Sequence, residues 1–187
     1  MKKMNRREFL TLTGAAVVAL SLAGCGGPSA PPAPAAPTGK EAELLAAINK
    51  VWKEKFNASK VDHEQLTLNQ EAQGAIKIQG GIFEDAKESV HTLTKKDIEK
   101  LGGITAWEYT MKQKYELGGA AGVSEPSSEG EISLTFEYSC EDAVIQKFVN
   151  KIMGYSLSRE AEFISVYCPV VQGKTYMTAV VFRNNKA

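Results

Sequence analysis

Leu44, Ile48, Trp52 and Phe56 recur every fourth residue with Leu45 and Val51 beside them, a spacing that lines one face of an α-helix and requires that face to be buried. Thr38 and Glu41 precede the run as a capping box. After a polar loop through His63, Asn69 is placed to cap a second helix that carries Ala72, Ala75 and Ile76 inward and stops at Gly80-Gly81. Thr94 and Asp97 cap a short third helix that ends at Gly102-Gly103. Residues 105–117 fit two periods. Trp107, Tyr109, Met111, Tyr115 and Leu117 alternate as in a strand, while Trp107, Met111 and Tyr115 also share a helical face. Thr105 with Glu108 at the start and Gly118 at the end favour helix. Gly118 to Gly130 reads as a loop by composition.

Beyond it, Ile132, Leu134, Phe136 and Tyr138 alternate with Ser133, Thr135, Glu137 and Ser139, the pattern of a half-buried strand. Ser139 and Asp142 cap a helix that shares Val144, Phe148 and Ile152 on one face as far as Gly154. Two strands close the chain, Phe163 to Cys168 and Thr175 to Phe182, joined through Pro169 and a turn at Gln172-Gly173. Helices first and adjacent antiparallel strands last predict an α+β fold, with helices on a mostly antiparallel sheet.

The amino-terminal pattern is of another kind. Lys2, Lys3, Arg6 and Arg7 form a charged segment ahead of an apolar run, Thr11 to Ala23. Its thirteen residues fall short of the roughly twenty that cross a bilayer as a helix. Residues 1–24 therefore read as a cleaved signal, with Arg6-Arg7 before Phe9-Leu10 similar to a twin-arginine export signal and general secretion as the rival route. Leu22-Ala23-Gly24-Cys25 looks like a bacterial lipobox, which implies acylation of Cys25 and a stable anchor of two or three chains. Residues 25–39 hold five of the seven prolines and form an extended spacer that reaches at most about 40 Å. Residues 40–187 remain for one domain. The expected location is the extracytoplasmic side of the cell membrane, at the cell surface or in the periplasm.

Of the 22 basic and 22 acidic residues, four basic and one acidic lie in residues 1–24, which leaves the rest near −3. No basic surplus is left for nucleic acid. With Cys25 assigned to lipid, Cys140 and Cys168 stand as a disulfide candidate or as two free thiols. No G-x-S-x-G, H-E-x-x-H, phosphate-binding loop or dinucleotide fingerprint occurs. The Trp107, Tyr109 and Tyr115 group reads as core, and Lys95 to Lys100 as a solvated helix face.

Several segments together resemble one family. Leu44-Leu45-Ala46-Ala47-Ile48-Asn49, then Leu66-Thr67-Leu68-Asn69-Gln70-Glu71-Ala72 through Gln79, look like the opening of CAP domains, the cysteine-rich secretory, antigen 5 and pathogenesis-related superfamily with its SCP-like bacterial members. His91-Thr92, Gly130-Glu131-Ile132 through Ala143-Val144, and the closing strands Ile164-Ser165-Val166 and Tyr176 to Phe182 are similar to later family segments. The resemblance implies an α-β-α sandwich. It also carries His91 and Glu131 onto two positions of the family's cleft of two histidines and two glutamates, a set that can hold a divalent cation.

The departures bear on function. Tyr155 stands near the place of the second histidine, no glutamate takes the fourth position, and Phe148 and Ile132 replace the usual tryptophan and asparagine. Two ligands hold zinc poorly, and the other histidine of the chain, His63, reads as loop polarity. The expectation is therefore a lipid-anchored CAP-like binding or interaction module, with no metal, no cofactor, and a protein, peptide, lipid or cell-wall ligand. The catalytic alternative is a cation-assisted hydrolase of peptide or cell-wall substrates that uses His91 as base and Glu131 as acid or orienter, with Tyr155 as a third candidate. A third reading is a structural envelope lipoprotein.

Overall fold

A computed structural model of the chain describes residues 38–69, 83–84, 92–93, 113–124, 127–128 and 131–185, all inside the compact unit Pro37–Ala187. The signal, Cys25, most of the spacer, His91, the expected helices after Asn69 and Thr94, and residues 105–112 lie outside the described residues. The described part is α+β, with two α-helices and a mixed sheet.

Helix α1 (Lys40–Asn57) forms where the fourfold spacing places it and buries Leu44, Ile48, Val51 and Trp52. Phe56 is 36% exposed and lies past the end of that contact. The start of α1 corrects the expected capping box. Gly39 is the N-cap, so the helix starts one residue later than the box requires and no side chain caps it, and the Glu41 carboxylate instead accepts the backbone N–H of Cys168 at 3.3 Å. A tertiary partner holds the side chain that local reasoning assigned to the helix end. Helix α2 (Asp142–Ile152) likewise starts without a side-chain cap, at Glu141, and buries Ile145, Phe148, Val149 and Ile152. Ser139 accepts the Glu141 N–H at 3.2 Å rather than capping the helix.

The main sheet takes strands from distant parts of the chain: β1 (Thr67–Leu68), β3 (Tyr115–Ala121), β5 (Phe163–Tyr167) and β8 (Thr178–Asn184). Their order across the sheet is β1-β5-β8-β3. β5 and β8 pair antiparallel from Phe163↔Phe182 to Tyr167↔Thr178, β3 pairs antiparallel with β8, and β1 runs parallel to β5. Two short ladders complete the set, β2 (Thr92–Leu93) with β4 (Ile132–Ser133) and the hairpin β6 (Val170–Val171) with β7 (Lys174–Thr175). The hairpin turn is Gln172-Gly173, with φ of 52° and 75°, the positive pair that a type I′ turn requires.

Side chains on β5 and β8 alternate between two buried faces. Ile164, Val166, Ala179 and Val181 meet α1 and α2, while Val180 and Phe182 lie opposite, with Tyr115, Ala120, Phe163 and Tyr167 against them. A strand enclosed on both faces reads as a continuous apolar run, as Thr178 to Phe182 does. On the helical side the Phe136 and Phe148 rings meet edge to face at 5.1 Å, an arrangement the ring quadrupoles favour. Asn49 ties α1 to the approach to β1: its Nδ2 donates to the Leu66 carbonyl at 3.1 Å, and its Oδ1 accepts the Leu66 N–H at 2.9 Å.

The helix favoured for residues 105–117 and the loop expected from Gly118 are both corrected over β3. Tyr115–Ala121 is one strand. The glycines are present for close packing, since a Cβ on Gly119 would stand 2.3 Å from the Ile152 carbonyl oxygen at the end of α2. Gly122, at φ +102°, comes still nearer to the Met177 carbonyl, and only glycine fits there. The strand expected over Ile132–Ser139 keeps its alternation of burial but not its ladder. Regular pairing covers Ile132–Ser133, and beyond it come single bridges at Val123↔Leu134 and Glu137↔Tyr176.

Candidate functional site

Forty residues separate His91 from Glu131, and the fold closes part of that gap through backbone pairing. Thr92, the residue after His91, pairs with Ser133, and Leu93 pairs with Ile132. The strand that follows His91 therefore lies beside the strand that begins one residue after Glu131. His91 itself is outside the described residues. Glu131 is half-buried and held by a reciprocal loop: its N–H donates to Ser127 Oγ at 3.1 Å, and its carbonyl accepts the Ser127 N–H at 2.9 Å. Phe83, Ile132, Leu134 and Val171 form a small apolar cluster beneath this corner.

Tyr155 follows the end of α2 and is half-buried. With Asn150, Lys151 and Gly154 it lines an open depression of about 280 Å³, and Glu131 is not among the lining residues. The depression is thus one feature and the Glu131 corner another. His63 sits on the loop after α1, where its carbonyl accepts the Trp52 indole N–H at 3.1 Å and its Nε2 lies 3.8 Å from Glu162. Among the described residues, no group of three or more His, Cys, Asp or Glu side chains converges in a way that could hold a metal ion. No helix among them is long and apolar enough to cross a membrane.

Sequence reasoning did not find two polar clusters. Arg183, buried near the end of β8, is clamped by Glu116 from β3 and Glu160 from the short 3-10 turn Ser158–Glu160. Its hydrogen bond to Glu116 is the main cause of a raised pKa. The signal was available in part, because position 183 shares the inward parity of Ala179 and Val181.

The second cluster surrounds the first turn of α1. Tyr138 donates its hydroxyl to Glu43 at 2.6 Å and accepts the Cys140 thiol at 3.3 Å, while Lys40 Nζ stands 5.1 Å from the center of the Tyr138 ring. Cys168 joins from the end of β5 through its N–H to Glu41. Cys140 is exposed, Cys168 is buried, and both are free thiols. Burial above all, then the Glu41 charge, pushes the Cys168 thiol up to about 12, against the lowering pull of Lys40.

No protein-family model, curated protein or solved structure matches the chain.

Proposed function

We propose that this chain is a CAP-like binding or interaction module with a degenerate His/Glu cleft, built as an α-β-α sandwich and tethered by lipid on Cys25 to the extracytoplasmic face of the cell membrane. The observation that carries the reading is the β2–β4 pairing, Thr92↔Ser133 and Leu93↔Ile132. It sets side by side two segments that are remote in the chain and that the family resemblance, taken residue by residue, assigns to one cleft. The place of Tyr155 on a separate depression favours binding over hydrolysis, since a base, an acid and a third group must share one point to act on one bond.

The module has two family positions filled, His91 and Glu131, and by sequence a phenol, Tyr155, at the position where the family has its second imidazole. A phenol near pKa 10 must lose its proton to ligate well. Titration with zinc followed by calorimetry is expected to show nothing tighter than roughly ten micromolar. A sub-micromolar site that vanishes in both His91→Ala and Glu131→Ala overturns the degenerate-cleft reading and moves the hydrolase to first place. The anchor is tested in the same preparation by metabolic labelling with a fatty acid, which is expected to mark the wild-type chain and not Cys25→Ala.

A further inference from the structure

Two cysteines from distant segments are tied to one helical turn, one through its thiol and one through its backbone N–H. Cys140 lies in the extended lead-in to α2 and reaches the turn through Tyr138, whose hydroxyl bridges the thiol at 3.3 Å and Glu43 at 2.6 Å. Cys168 lies just past β5, and its backbone N–H is fixed to Glu41, two residues away on the same turn. The rest of the cluster closes the site: Lys40 stands over the Tyr138 ring and reaches Thr175 of the hairpin at 2.6 Å. The Cys168 thiol senses the charges of Glu41, Lys40, Cys140 and Glu43. One thiol is exposed and the other buried.

We propose that Cys140 and Cys168 form a reversible disulfide across the first turn of α1, with Cys140 reacting first with an external disulfide and Cys168 resolving the product. The Cys140 thiolate attacks one sulfur of a small-molecule disulfide, forms a mixed disulfide and expels one thiolate. Cys168 then loses its proton to solvent and attacks the Cys140 sulfur, which forms the internal bond and expels the second thiolate. The two protein sulfurs give up two electrons, and the external disulfide leaves as two thiols. The order follows from access and charge. Burial and the Glu41 carboxylate keep Cys168 protonated, and only a thiolate attacks, so the buried sulfur reacts once its partner has been brought to it. Tyr138 is a positioning residue that holds the Cys140 sulfur over the turn. The bond joins the lead-in of α2 to the end of β5 in one state of the couple.

The test uses the full chain carrying Cys25→Ser, so that two thiols titrate, with oxidised glutathione as the probe and intact mass with thiol counting as the readout. The wild-type pair is expected to lose both thiols and to keep no adduct. Cys168→Ser is expected to keep one glutathione on Cys140. Cys140→Ser, an exposed change that leaves the core untouched, is expected to keep Cys168 as a thiol that reacts on the order of 100-fold more slowly than an unburied one. A stable glutathione adduct on the wild-type chain overturns the proposal, as does a Cys168 that oxidises equally fast without Cys140.

Discussion

On the helix-covered face, Leu44, Ile48, Trp52, Phe148 and Ile152 are fully enclosed and drawn from both helices, whereas the Glu131 corner rests on Phe83, Ile132, Leu134 and Val171 and a two-residue ladder. The first region combines large side chains, interlocking rings and a continuous sheet. Among the described residues, the second is held by that small apolar cluster, by hydrogen bonds to Ser127 and Ser124 and by the Val123↔Leu134 bridge. The difference teaches where rigidity and candidate chemistry reside. Enclosed apolar area supplies most of the stability, at about 25 cal/mol per Å² buried, and the larger described share of it lies between the helices and the main sheet.

The sharpest way to break this comparison is to truncate one buried apolar side chain in each region to alanine. Phe148→Ala deletes a fully buried ring that meets Phe136 edge to face, and it is expected to destabilise the domain by about 3–5 kcal/mol. Leu134→Ala, in the corner cluster, is expected to cost about 2 kcal/mol, at the low end for leucine. Urea denaturation of the two variants decides the matter. Equal losses show that the corner is as integral to the core as the helical face.

Asn49→Leu probes the polar support of the same helical face. It removes both hydrogen bonds to Leu66, which is itself buried, and leaves a backbone donor and acceptor unpaired at a cost of about 1–3 kcal/mol. Faster amide exchange at Leu66 is the specific readout, and unchanged protection there means that water replaces the asparagine.

The smallest effect belongs to the corner. Ser127→Ala removes the acceptor for the Glu131 N–H, a solvent-reachable bond whose loss is expected to cost less than about 1 kcal/mol. Thermal unfolding should hardly move, while exchange at the Glu131 amide should accelerate. A loss as large as that of Asn49→Leu marks the loop as structural rather than as a support for one side chain.

How much of this was legible depended on the range of the interaction involved. The fourfold spacing of Leu44, Ile48 and Trp52 and the twofold spacing of Ile132, Leu134 and Phe136 report the direction in which successive side chains point, which is a property of the backbone's own geometry. Burial at those positions follows it. The turn at Gln172-Gly173, β5 and most of β8 were readable for the same local reason, whereas the small β6–β7 hairpin that the turn closes was not. For the candidate site, the residue types of His91, Glu131 and Tyr155 could be named in advance. That Tyr155 lines a depression together with Asn150, Lys151 and Gly154 could not.

Helix ends and glycines were misread where a distant partner outweighed the local rule. Thr38 and Glu41 form a good capping box by sequence, yet Glu41 bonds Cys168, 127 positions away. Gly118 and Gly119 resemble a helix stop, yet they lie within β3, where a Cβ on Gly119 would run into the Ile152 carbonyl at the end of α2 and one on Gly118 would press on Ala161 and Val181. Periodicity fixes which face of an element must be covered, since it depends on residues three or four apart. Which element covers it, which carboxylate meets which amide, and whether two thiols 28 positions apart in the chain come to one helical turn depend on contacts between segments whose separation along the chain carries no information about their distance in space.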